Sequence, residues 1–276
     1  MDARLQLRVQ RYGWDRAAPS YELAWKQALE PATAAVLTSA KLRPGERVLD
    51  VACGSGLLTR AAWHAVASKG GEVVGTDISE LMLAEAAERS PDCRFVRADA
   101  QNLDKFVPDG YFDAVLCGLG LMYMPDPEAA LATMARCLRP GGRMAVSVWG
   151  ERRACGWAEI FPIVDSRVRS EVCPMFFRIG TGHTLEEALR AAGLVDVHSS
   201  HPPTTIHYTD ADAACDAAFL SGPVALAYSR FDESTRLSVR AEYLASIEPW
   251  RDGERFEIPG TFVIGFGQKP GAAIDA

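Results

Sequence analysis

Between residues 45 and 150, short apolar runs alternate with stretches of helical composition, and each run ends in glycine or an acid. The clearest is Val48-Leu49-Asp50-Val51-Ala52-Cys53-Gly54-Ser55-Gly56, a strand that runs into a glycine turn and then a helical pattern beginning near Leu57. Residues 72–77 read as a second strand ending in Asp77, and residues 94–101 as a third carrying Asp99. Residues 112–117 form a fourth, opening into Gly118-Leu119-Gly120, and residues 145–149 a fifth. Strand and helix in alternation predict an α/β fold with a mostly parallel sheet covered on both faces.

The flanks read differently. Residues 20–40 have helical composition, and Pro31 suggests two helices or a kink. After Gly150 the periodicity weakens and Phe161, Pro162, Pro174, Met175, Phe176 and Phe177 appear. Residues 184–193 form a helix with Thr184 as its N-cap and Gly193 as its stop. Extended structure resumes at Val195, residues 209–250 read as inserted helices, and residues 256–266 as a late strand. A parallel partner for that strand would need a right-handed crossover, an antiparallel one would not, and the sequence leaves both open. Residues 271–276 read as a disordered tail.

The glycine turn carries the first chemistry. Without a Cβ, Gly54 and Gly56 can take positive φ and let a ligand approach the backbone at the start of a helix. Such a cleft suits an adenosine cofactor. A dinucleotide fingerprint would place a third glycine where Thr59 stands, which disfavours a nicotinamide cofactor. Asp50 sets a carboxylate where a pyrophosphate would be repelled and a cation favoured. Asp77, about 20 residues beyond the turn, can accept both ribose hydroxyls.

Taken together, residues 48–59, 73–79, 98–103, 112–127 and Leu138-Arg139-Pro140-Gly141-Gly142-Arg143 resemble the successive motifs of class I S-adenosylmethionine-dependent methyltransferases, in particular the ubiquinone/menaquinone-biosynthesis-like small-molecule branch. The resemblance implies a Rossmann-like, mostly parallel seven-stranded sheet with an antiparallel last strand. It implies one domain over 1–276, with a helical cap over 1–44, a cofactor-binding core over 45–150 and substrate-lid insertions over 151–183 and 209–252. Asp50, Ala52, Gly54 and Ser55 would hold the methionine part of S-adenosylmethionine, Asp77 the ribose, and Gly56 would also belong to the cofactor site. Ile78 and Met82 would flank the adenine, with Asp99, Ala100 and Gln101 at its amine. Cys117, Gly118 and Leu119 would approach the methionyl amine and sulfonium. Trp14 and Tyr21 match the aromatic entry segment, with Tyr21 closing over the cofactor.

The reaction implied is in-line transfer of the sulfonium methyl to a small molecule, leaving S-adenosylhomocysteine. The aromatic character of Phe176 and Phe177 favours an apolar or aromatic acceptor, with Trp14 of the entry segment and Met122, Tyr123 and Trp149 at the strand ends on the substrate side. O-methylation is expected ahead of C- or N-methylation, although the residues leave the accepting atom open. His183 is the best-placed general base if one is used. His64, His198, His201 and His207 form no zinc signature, and no metal is implied. Cys155 and Cys173 keep open an arsenite or thiol S-methyltransferase. A nicotinamide oxidoreductase or a non-catalytic cofactor-binding protein are alternatives of another class.

Composition narrows the partners. The 276 residues are 48% hydrophobic, enough for a full core, and the seven cysteines form no CxxC pair. A net charge of −7, with no basic stripe in the sequence, argues against a nucleic-acid partner. No apolar run is long enough to span a membrane and the N-terminus lacks a secretory h-region, so the expected location is cytoplasmic.

Overall fold

The computed structural model describes residues 3–168, 173 and 175–272. It begins with one long helix, α1 (Ala3–Ala40), followed by β1 (Arg47–Val51), α2 (Leu57–Val66), β2 (Glu72–Asp77), α3 (Glu80–Arg89) and β3 (Arg94–Arg97). The chain then builds β4 (Phe112–Gly118), α4 (Pro127–Cys137), β5 (Leu138–Trp149), α5 (Ile160–Asp165) and α6 (Thr184–Ala191). It finishes through β6 (Val195–Ser200), β7 (Pro203–Tyr208), α7 (Ala211–Leu220), α8 (Ala225–Ser229), α9 (Glu233–Ile247), β8 (Arg251–Asp252) and β9 (Arg255–Gln268).

The main sheet runs in the order β3-β2-β1-β4-β5-β9-β6. β1 to β5 are parallel, and β9 is antiparallel to both β5 and β6, as the family resemblance implied. β1 is buried at four of its five positions and β4 at five of seven, so these strands read as apolar runs rather than alternating ones. Strand order reverses between β1 and β4. That reversal leaves a crevice beyond their carboxyl ends, which places the site.

The late strand is longer than the sequence suggests. Its second half pairs with β5 and β6, and its first half extends past them to pair with β7 and β8. Extended structure after Val195 is split into β6 and β7 around His201-Pro202, where Pro202 has no N–H to continue the ladder and instead accepts the N–H of Phe262 at 3.0 Å.

Two expectations need correction. The first is the break at Pro31: α1 runs unbroken through both Pro19 and Pro31. Each proline removes a helical hydrogen bond, at a cost of about 3 kcal/mol. Packing offsets that cost. Ala17, Ala18, Ala32, Val36 and Ala40 are buried, Glu22 meets Arg60 and Arg89 at 3.2 Å, and Trp25 donates to the Ser221 carbonyl at 3.0 Å. The second is the cap of α6, which falls on His183 rather than Thr184. Thr184 is already helical, and its hydroxyl turns back to the Thr181 carbonyl at 2.8 Å. Gly193, at φ +85°, follows that helix as its stop. Pro174 and residues 273–276 of the expected tail lie outside the described residues.

Arg143 locks the end of α1 to the sheet. Its guanidinium donates to the Ala40 carbonyl at 2.8 Å and to Glu46 at 2.6 Å, with both side chains nearly buried. Arg143→Ala should therefore strand a half-desolvated carboxylate and lower the unfolding free energy by roughly 3 kcal/mol. Urea denaturation checks this, and an unchanged midpoint would show that the contact contributes nothing to stability.

Candidate active site

The turn after β1 is built from left-handed residues. Ala52, Gly54 and Gly56 have φ of +55°, +55° and +84°, and Leu119, just past β4, has +57°. For Ala52 and Leu119 this conformation costs about 1 kcal/mol each, and it sits where the two strand ends face each other. A Cβ on Gly120 would come within 2.5 Å of the Ala52 methyl, so the Gly118-Leu119-Gly120 turn can approach only because residue 120 has none. Gly56 is the residue before α2, pressed to within 3.1 Å of Ala86 by the same measure.

Two acids organise the floor. Asp77 accepts the Gly54 N–H on one oxygen and the Ser79 N–H on the other, both at 2.9 Å. Ser79 then caps α3 by accepting the Met82 N–H at 3.1 Å, and donates to Asp15 of α1 at 2.6 Å. Asp50 is fully buried, accepts from Thr59 at 2.6 Å on one oxygen and has no partner on the other. Burial, opposed by the Thr59 hydrogen bond and reinforced by the charge of Asp77, pushes the Asp50 carboxyl up to about 7. Asp77 is also raised, again chiefly by burial. Thr59 thus has its own role as the hydrogen-bond donor to Asp50.

Three cavities meet above this floor. The largest of them, about 730 Å³, is bounded by Asp77, Ile78, Met82, Asp99 and Ala100 from the sheet side, and by Leu7, Gln10 and Trp14 from α1. A second, about 440 Å³, runs over Asp50, Ala52, Gly54 and Ser55, and the buried Ser55 hydroxyl there also has no partner. A third, about 570 Å³, is walled by Trp25, Trp149, Trp157, Phe161, Phe176 and Tyr243. Tyr21 and Leu119 belong to the walls of all three. Trp14 packs edge-on to Tyr21 at 5.7 Å and Tyr123 at 4.9 Å, and Tyr123 to Phe176 at 5.3 Å, carrying one aromatic wall from the first cavity into the third.

Most residues singled out in the sequence converge here, with exceptions. Gly118 joins the walls of the first two cavities, whereas Cys117 is buried behind them. Gln101 turns away: its amide donates to Asp99 at 3.3 Å and its carbonyl oxygen accepts the Asp126 N–H at 3.0 Å. Met122 lies behind Trp149, its sulfur accepting the Trp149 N–H at 3.5 Å, and Phe177 packs outside Phe176 and Trp157. His183 is the clear correction. Its side chain is 79% exposed, its nearest charge is Glu186 at 4.0 Å, and it lines none of the three cavities, because the cap position of α6 points it into solvent. Cys155 and Cys173 are buried, and burial raises the two thiols to about 11 and about 12, so neither presents the thiolate that binds soft ligands.

Sequence reasoning missed Asp15, Trp25, Leu29, Trp157 and Tyr243. Asp15, Trp25 and Leu29 lie on one helix whose continuity the sequence does not show, and Trp157 and Tyr243 carry no local signal beyond core packing.

A methyltransferase-domain family model matches residues 48–142. Over 256 residues the chain is 30% identical to the nocamycin O-methyltransferase of Saccharothrix syringae, covering 85% of this chain and 89% of that one. It is 44% identical over 113 residues to the demethylmenaquinone methyltransferase of Beutenbergia cavernae, a match spanning 45% of that protein's length. Among solved structures, a phosphoethanolamine N-methyltransferase of Haemonchus contortus in complex with phosphomonomethylethanolamine and S-adenosylhomocysteine shares the fold. Its TM-score is 0.62 at 18% identity, over 98% of this chain and 60% of that one. The chain belongs to the S-adenosylmethionine-dependent methyltransferases.

The Asp50 carboxyl yields a test that needs no ligand. Because the folded protein holds this proton more tightly than the unfolded chain, Asp50 adds stability below about pH 4 that is lost as pH rises through about 7. Thermal melts of Asp50→Asn should exceed the parent above pH 7 and converge with it in acid. A constant difference across that range would show that Asp50 titrates normally.

Proposed function

We propose that this enzyme methylates a hydroxyl of a small, uncharged aromatic or apolar metabolite. The observation that carries the reading is the meeting of three cavities at Tyr21 and Leu119, one acidic, one nucleoside-sized and one aromatic. S-adenosylmethionine supplies a methyl group already activated on sulfur. The unpartnered oxygens of Asp50 and Ser55 suit its methionine ammonium, Asp77 its ribose, and Ile78, Met82 and Asp99 its adenine. A buried carboxylate with an unpartnered oxygen is well matched to a cationic ligand.

Residues from the helical cap and from both inserted segments wall the aromatic cavity: Trp25 and Leu29 from α1, Trp157 and Phe161 from 151–183, Pro223 and Tyr243 from 209–252. They close over the acceptor and exclude water, and holding the acceptor oxygen in line supplies on the order of 7–11 kcal/mol. No Asp, Glu, His or Lys stands among the described residues of that wall. Burial raises the Tyr21 and Tyr123 hydroxyls, so both remain protonated and act as donors rather than bases. The acceptor must therefore surrender its proton readily by itself, as an acidic phenol or an enol does. The name of the Saccharothrix relative agrees with transfer to oxygen.

Calorimetry of cofactor-stripped protein with S-adenosylmethionine, S-adenosylhomocysteine and NADH should show binding of the two sulfur compounds alone, weakened at least tenfold in Asp77→Ala. Binding of NADH instead would overturn the cofactor reading. With phenols of graded acidity as acceptors, S-adenosylhomocysteine formation should rise with pH in step with each acceptor's own ionisation. A pH midpoint fixed across the series would require a base supplied by the protein, and binding without turnover on any acceptor would leave a cofactor-binding protein.

A further inference from the structure

A second, open groove of about 1240 Å³ lies beside the cofactor cleft and shares Leu7, Ile78, Ala98 and Asp99 with its nucleoside cavity. One wall is a stripe of Arg4, Arg8 and Arg11 on α1, spaced i, i+4, i+7 and rising roughly 10 Å along the axis. The facing wall carries Arg97, the last residue of β3, and Lys105, which ends the helical turn after Asp99. Five cations thus line one groove in a chain of net charge −7.

The acids nearby are already engaged. Asp99 accepts from Gln101 and Asn102, Glu80 pairs with Arg97, and Asp104 lies 3.5 Å from Arg136. Arg4 has a partner of its own. Among the described residues Arg8, Arg11 and Lys105 form no ion pair. Arg11 sits 5.4 Å from the Tyr12 ring centroid, and its Nε–H is buried with no acceptor. Like charges at i, i+4 near the positive end of a helix destabilise it by a few tenths of a kcal/mol, so helix stability does not account for the stripe.

We propose that this groove binds a small ligand carrying a run of two or more phosphate groups. Guanidinium forks pair with phosphate oxygens bidentately, and a stripe of roughly 10 Å matches an oligophosphate rather than one anion. The acidic remainder of the surface would repel a nucleic-acid strand extending beyond the groove, which favours a short ligand. Because the groove shares a wall with the nucleoside cavity, its occupant and the cofactor affect each other's affinity reciprocally.

The test is calorimetric titration of the ligand-free protein with inorganic tripolyphosphate at low salt, with a single-stranded oligodeoxythymidylate alongside. Tripolyphosphate should bind, should weaken steeply with added salt, and should lose at least tenfold in affinity in both Arg8→Gln and Lys105→Gln, one variant from each wall, while Arg251→Gln binds as the parent does. Absence of binding, or binding unchanged in both groove variants, overturns the site. Binding of the oligonucleotide without tripolyphosphate overturns the ligand class. None of these readings depends on finding the methyl acceptor, so the groove can fail while the methyltransferase reading stands, and the reverse.

Discussion

The carboxylate of Asp77 accepts the N–H of Gly54 across the glycine turn and the N–H of Ser79 at the start of α3, and the rest of the cleft depends on that pair. Charge-assisted bonds of this kind contribute roughly 1.5–3 kcal/mol each, and here they extend the link between the two segments past the end of the β1–β2 ladder, where the Cys53 N–H donates to the Thr76 carbonyl at 3.0 Å. Ser79, fixed by Asp77, caps α3 and binds Asp15, which sets the rotation of α1 over the crevice. That rotation brings Trp14 and Tyr21 to the cavity walls on one side and turns Arg8 and Arg11 to the neighbouring groove on the other.

The same carboxylate makes the free protein electrostatically uncomfortable. Asp50 and Asp77 are both buried, burial raises both carboxyls, the charge of Asp77 raises Asp50 further, and one Asp50 oxygen has no hydrogen-bond partner. Left-handed Ala52 and Leu119 add backbone strain at the same place. A core under selection for stability alone would hold an apolar residue in place of Asp50. A cationic ligand beside Asp50 would offset that cost, which is how the proposed sulfonium cofactor would account for an acid in the strand-end motif.

The core was legible because its signals are local. The β1 turn, the start of α2 at Leu57 and the span of β2 each follow from a few adjacent residues, and the observed bounds agree with them. Contacts distant in sequence were not legible. Pro31 marks a break by local rules, whereas contacts that α1 makes through Glu22 and Trp25 to Arg60, Arg89 and Ser221 offset its cost. His183 offered suitable chemistry beside a helix start, but whether it faced the cleft depended on the packing of α6 against the sheet. The basic groove was not legible for the same reason: its stripe is spread over eight residues of α1, and its facing wall lies some ninety residues later.

The comparisons divide along the same line. Identity is 44% where the match is confined to 113 residues and 30% where it runs over 256, so the more similar relation rests on the shorter stretch. The aromatic cavity takes its walls from four separated stretches: Trp14 to Leu29, Leu119 and Tyr123, Trp149 to Phe161 with Phe176, and Ala218 to Val224 with Tyr243. Such a cavity can be reshaped by changing side chains on elements that do not hold Asp50 or Asp77, leaving the chemistry of the floor untouched. Under the proposed function, the shape of the acceptor wall would then vary independently of the cofactor floor. Tyr21 and Leu119 line all three cavities, so under the proposed function a change at either side chain would alter the cofactor and acceptor walls together.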